Sequence, residues 1–141
     1  LHPTEGYVVS GPLDGICEAA FVAHYAPREH ALELRAELPA AVWERLAARL
    51  PQGALLVGLT SIHWREAWKY GERAFRYCQH DVGHAIAAIA FAAAALGWRT
   101  RLLESVHDDD LGLLGRCEPL GIQNLPTQRP IETLVVSVFP G

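Results

Sequence analysis

Positive charge is scarce and scattered in this chain. Its 12 Lys and Arg are interleaved with 16 Asp and Glu for a formal net charge of −4, so no field exists to draw in nucleic acid or an anionic membrane surface. Cysteine is scarce too. Cys17, Cys78 and Cys117 are odd in number and far apart, which suggests neither a disulfide framework nor a Cys-based zinc site and fits the reducing cytoplasm. The Ala-rich run 85–95 holds 11 apolar residues, well short of the roughly 20 that a membrane span needs. No basic segment followed by an apolar one opens the chain, which predicts no signal peptide. The first residue is Leu1, not Met, so a fragment of a longer protein is expected. Internal repeats and low-complexity tracts are lacking apart from the alanines.

What is present is a globular composition. Over 141 residues, 50% are hydrophobic and 20% charged; this excludes a disordered chain and predicts one domain that buries about two thirds of its unfolded surface. Tyr7, Val8 and Val9 read as a strand, and the turn cluster Gly11, Pro12, Asp14 and Gly15 follows. AAFVAHY and ALELRAEL flank a loop with Pro27 and read as a hairpin. Pro39 opens a short helix with Val42, Leu46 and Leu50 on one face. ALLVGLTSI reads as a buried strand, RTRLLESV as a short strand and loop, LGLLG as a single amphipathic turn, and ETLVVSVFPG as a last strand. This order predicts an α+β fold, a sheet packed on helices.

The chain is organised around residues 61–98. From about residue 74 to 96 there is no Pro, and Ala, Ile, Leu and Phe dominate, which predicts one long helix that Gly97 stops. Its uninterrupted apolar second half, 85–95, predicts burial on all sides, with Ala85, Ala88, Ala92 and Ala95 meeting another helix. Two candidate chemistries lie in its first half and just before it. His80 and His84 are four apart with Asp81 between them, the helical spacing that presents two imidazoles to one zinc. A third ligand would have to come from His2, His24, His30, His63 or His107; without one these are helix-face histidines. Lys69 and Tyr70 are neighbours in sequence and can converge on one ligand only where the helix is irregular, which Gly71 provides. Lys can offset a developing anion and Tyr can exchange a proton. The competing account is a surface Lys beside a half-buried Tyr, with Glu72, Arg73 and Arg76 in ordinary helical pairs.

WKYGERAFRYCQHDVGHAIAAIAFAAAALGW resembles the signature of the SagB-type, or thiazole and oxazole, dehydrogenases of the nitroreductase superfamily, in which a Lys-Tyr-Gly-Glu-Arg run precedes an Asp-x-Gly-His helix. LHPTEGYVV resembles the segment after that family's Ser-Ser-Gly loop, and HYAPREHALEL its hairpin. The resemblance extends over nearly the whole chain in the family's order. It implies a nitroreductase-like domain over 1–141, FMN as cofactor at a subunit interface, and a homodimer built on the 74–96 helix. It also implies hydride transfer between flavin and a small nitro, quinone, unsaturated or azoline substrate, free or within a peptide. Lys69 and Tyr70 match the pair implicated in catalysis in azoline-oxidising members. Leu102, Leu103, Glu104 and Ser105 match the stretch whose backbone lies against the flavin ring, with Leu102 and Ser105 standing where classical nitroreductases have Pro and Gly. The family's N-terminal phosphate-binding Arg and Ser-Ser-Gly loop have no counterpart in these residues, so Arg73 or Arg76 is the candidate to meet the phosphate. Two other readings stand beside this one: a non-catalytic dimerisation or binding module derived from the fold, and zinc hydrolysis at His80 and His84.

Overall fold

The structure, a computed structural model, describes residues 2–103 and 133–141. The turn expected at LGLLG, and Cys117 and His107, lie outside the described residues. Among the described residues six strands form one sheet in the order β3-β2-β1-β4-β6-β5: β1 (Thr4–Ser10), β2 (Ala20–Ala26), β3 (Ala31–Leu38), β4 (Leu55–Ser61), β5 (Trp98–Leu103) and β6 (Thr133–Pro140). Every strand pairing is antiparallel. Among the described residues three α-helices accompany it, α1 (Ala40–Ala47), α2 (His63–Tyr70) and α3 (Ala74–Ala95), with a 3-10 turn at Gly71–Arg73 joining the last two.

Strand alternation divides the sheet into two faces. On one, Val9, Ala20, Val22, Leu38 and Leu56 are buried together, with Trp43 of α1 and Tyr7 packed against them. Gly11 makes room for Trp43: a Cβ there would lie 2.6 Å from the indole Nε1. On the other face Val136 and Val138 of β6 and Leu55 and Val57 of β4 meet Ile86, Ile89 and Ala93 of α3. Each aliphatic side chain fully buried in this way contributes about 1.5–3 kcal/mol. Ser137, wholly buried, donates from its hydroxyl to the Arg101 carbonyl at 3.2 Å, so its polar atom is satisfied between β6 and β5.

The β2–β3 hairpin forms as expected, but its register is irregular. Val22 pairs with Ala36 and Ala23 with Leu34, so Arg35 has no partner of its own. A one-residue slip moves everything beyond it to the opposite face. Leu38 is therefore buried while Leu32 and Leu34 are exposed, although all three sit at even positions of an alternating sequence. A bulge and charges on an outer strand are also what discourages edge-to-edge pairing.

Helix α3 runs for 22 residues without Pro. It ends as expected at Gly97, whose φ of 75° is the left-handed conformation that terminates helices. Burial on all sides is not observed. Ala74, Cys78, Val82 and Ala93 are buried, whereas Ala87, Ala88, Ala92, Ala94 and Ala95 are exposed and Phe91 is 78% exposed. The sheet covers one stripe of the helix, and nothing among the described residues covers the other. No helix among the described residues is long and apolar enough to cross a membrane.

Candidate functional site at the joint between two helices

Helix α2 stops at Tyr70 because Gly71 adopts φ 57° and ψ −131°, a backbone conformation that costs a glycine little and any other residue a great deal. The 3-10 turn then starts α3 at a new angle. At this joint the Tyr70 ring meets the Tyr77 ring edge-on, with centroids 4.7 Å apart and planes at 64°. The Lys69 ammonium sits 5.0 Å from the centroid of the Tyr70 ring. An edge-to-face pair contributes about 0.5–1.5 kcal/mol and an exposed cation over a ring about 0.5–1 kcal/mol, enough to bias rotamers without burying the charge. No carboxylate lies within ion-pair distance of Lys69 among the described residues. Trp64 and Trp68, four apart on the same helix, are also exposed, Trp68 by 81%.

Arg73 ends the 3-10 turn and is exposed, four residues from Lys69, so two cations flank the joint. Leu102 and Leu103 close strand β5. That strand follows the C-terminal end of α3 and packs against the helix. Because β5 is the sheet's outer strand, one of its backbone edges has no strand partner among the described residues. No hydrogen bond, ion pair or ring contact joins Leu102 or Leu103 to Lys69 or Tyr70. Glu104 and Ser105 lie outside the described residues.

A second cluster steadies α2. Arg65 donates to the Glu5 carboxylate at 2.5 Å and to the His2 carbonyl at 3.2 Å. His24 Nε2 faces the other Glu5 oxygen at 2.7 Å and its Nδ1 faces Glu33 at 3.1 Å, with Arg35 against both Glu33 and His24. Strands β1, β2 and β3 are thus tied to one another and, through Arg65, to the helix that carries Lys69. Burial opposes ionisation of Glu5, but hydrogen bonds from His24 and Arg65 and their charges outweigh it, so its carboxyl stays below its ordinary value. A carboxylate held down in the folded state stabilises the fold above its unfolded pKa, about 4.3 for Glu, and that stability is lost as pH falls through the lower folded value. Melting temperatures taken from pH 7 down to pH 3 are therefore expected to fall less steeply in Glu5→Gln than in the parent. Parallel curves would remove Glu5 from the acid response.

Cys78 offers no nucleophile: burial, then the carboxylates of Glu66 and Asp81, push its thiol up, away from the reactive thiolate. His80 and His84 are exposed on α3, and among the described residues no three His, Cys, Asp or Glu side chains converge to hold a metal ion. The zinc geometry lacks its third ligand there. Sequence reasoning missed Tyr77, whose only signal is an aromatic seven residues beyond Tyr70, and the Glu5–Arg65 pair, whose members stand 60 apart.

A comparison with protein-family models finds no match. Among curated proteins, a provisionally named nitroreductase of Methanocaldococcus jannaschii is 24% identical over 137 residues, covering 93% of this chain and 67% of that protein. Among solved structures, a provisionally named nitroreductase from Anabaena variabilis superposes with a TM-score of 0.70 and 26% identity over 99% of this chain. The microcin synthetase McbBCD complex of E. coli, solved with a truncated pro-MccB17 bound, contains a chain that matches with a TM-score of 0.68 at 16% identity, also over 99% of this one. This chain spans 27% of the Anabaena chain and 52% of the synthetase chain. Both the sequence likeness and the 26%-identical structural likeness are to nitroreductases. The six-stranded antiparallel sheet with its long helix is a nitroreductase-like α+β fold.

Proposed function

We propose that these residues form part of an FMN-dependent oxidoreductase of the SagB-type dehydrogenase branch, acting on a small unsaturated, nitro, quinone or azoline substrate. The observation that carries the proposal is the joint at Gly71. There an exposed Lys69, with no carboxylate within ion-pair distance among the described residues, is held against Tyr70 at the position where the resemblance expects a catalytic pair, on a nitroreductase-like fold.

The donor set fits a flat, anionic cofactor. FMN, when bound, would supply hydride transfer chemistry. Lys69 would offset negative charge at the reacting centre, and the Tyr70 hydroxyl would move a proton. Arg73 would meet the phosphate, and the open backbone edge at Leu102 and Leu103, with Glu104 and Ser105, would line the ring. Purified full-length protein is expected to carry the flavin absorption bands, with FMN released on denaturation. A full-length protein that takes up no FMN on reconstitution would sink the reading.

The exposed stripe of α3 suits a second copy of the chain. Ala88, Ala92 and Ala95 are exposed and Ala85 is half-buried, and small side chains permit helix axes near the lower end of roughly 8–10 Å. In a homodimer formed on this stripe, Ala88→Leu overpacks the contact at about 1–3 kcal/mol. The variant is expected to elute as a monomer at concentrations where the parent is dimeric. An unchanged dimer with an unchanged melting temperature would move the interface elsewhere. This contact would also serve the alternative reading, a binding module without catalysis, which predicts the dimer and no flavin.

A further inference from the structure

We infer that Tyr77 is a positioning residue of the Lys69–Tyr70 site, fixing the Tyr70 ring and, through it, the Lys69 ammonium. In an unbroken helix residues 70 and 77 would be separated by about 10.5 Å along the axis. The bend at Gly71 and the 3-10 turn after it instead bring the two rings to a centroid distance of 4.7 Å at 64°. That edge-on packing favours the rotamer of Tyr70 that makes the contact. Tyr70 in turn presents its face to Lys69, whose ammonium lies 5.0 Å from the centroid. Lys69 is exposed and has no carboxylate among the described residues to hold it. The ring face is thus what narrows the many rotamers open to a free lysine.

Tyr77 itself belongs to α3, in the turn that also carries the buried Ala74 and Cys78. Its backbone is anchored by the core while its half-buried ring reaches back toward the joint, as helical side chains lean toward the N-terminus. The chain of support therefore runs from the core, through Tyr77 and Tyr70, to the cation. What Tyr77 supplies is its ring and not its hydroxyl, so Phe is expected to replace it and Leu is not.

The functional consequence rests on the flavin reading, but the positioning does not, and the experiment separates them. The first arm is NMR of the full-length protein without substrate, following the Lys69 ε-CH2 protons, which the face of the Tyr70 ring shifts upfield. The shift is expected to persist in Tyr77→Phe and to vanish in Tyr77→Leu and in the control Tyr70→Leu, with far-UV spectra unchanged. If Tyr77→Leu does not fold, Tyr77→His, which keeps a smaller ring, is expected to give a reduced shift. A full shift in a folded Tyr77→Leu or Tyr77→His overturns the inference. The second arm is turnover of a synthetic thiazoline-containing peptide by the FMN-loaded protein. Tyr77→Leu is expected to lower kcat on the order of 10- to 100-fold with KM unchanged, the scale on which a misplaced catalytic group is felt, and to cost nothing further in a Lys69→Ala, Tyr70→Leu background, where both groups it positions are already gone. Equal additional loss in that background overturns the inference. An FMN-free, inactive parent in which the NMR shift still depends on Tyr77 would overturn the flavin reading alone.

Discussion

Lys69→Ala and Tyr70→Phe in the flavin-loaded full-length protein are each expected to lower turnover by about 10²- to 10⁴-fold, the usual contribution of a positioned acid or base, while FMN occupancy stays near that of the parent. Tyr70→Phe is the sharper of the two. It keeps the ring, and with it the edge-on contact to Tyr77 and the face under Lys69, and it deletes only the hydroxyl. A rate loss in that variant reports proton transfer and not collapse of the joint. Lys69→Ala removes the cation along with its packing on the ring. If Lys69 were only a surface residue, its removal would change stability by about 0–1 kcal/mol and leave the rate alone. Parent-like turnover of a synthetic thiazoline-containing peptide by both variants would withdraw the proposed catalytic assignment, though not the fold. A quinone acceptor would not serve, since electron transfer from a reduced flavin to an easy acceptor needs no protein acid.

Phe21→Ala is expected to destabilise the fold by about 3–5 kcal/mol, the range for truncating a buried phenylalanine. Phe21 is 2% exposed and among the largest fully buried side chains of the described residues. It lies on β2 between two paired neighbours, Ser10 of β1 and Glu37 of β3, so the strands around it cannot close freely on the space it leaves. Against a total stability of about 5–15 kcal/mol for a typical domain, that is a large share. Urea denaturation is the measurement, with a lower midpoint at unchanged slope as the expected result. Leu34→Ala on the neighbouring strand is the control. Leu34 is the more exposed side chain by far, and its truncation is expected to stay within about 0.5 kcal/mol. Equal losses at the two positions would mean that the exposed edge of β3 is covered in solution.

The local signals in the sequence were sufficient for several elements and for the end of the long helix. The Pro-free apolar run from residue 74, closed by Gly97, is α3, and the apolar stretches around Pro27 are the β2–β3 hairpin. The irregularity at Gly71 is where α2 gives way to α3. Each depends on a propensity or a turn conformation carried by a few adjacent residues. That Lys69 and Tyr70 stand beside this break was legible for the same reason.

What the tertiary structure alone decided is which faces are covered and which distant residues meet. Leu32, Leu34, Ala36 and Leu38 alternate perfectly in sequence, yet the register slip at Arg35 sends Leu38 into the core and leaves Leu32 and Leu34 outside it. Only the pairing with β2 carries that information. Residues 85–95 read as buried all round because every side chain is apolar, whereas the sheet covers a single stripe and Phe91 stands in the open. A periodic pattern records how apolar a face is and not what lies against it. Tyr77 against Tyr70, and Arg65 against Glu5, arise from a bend of the backbone and from a strand and helix brought together across 60 residues. Such contacts depend on the path of the whole chain, and no local stretch of sequence records it.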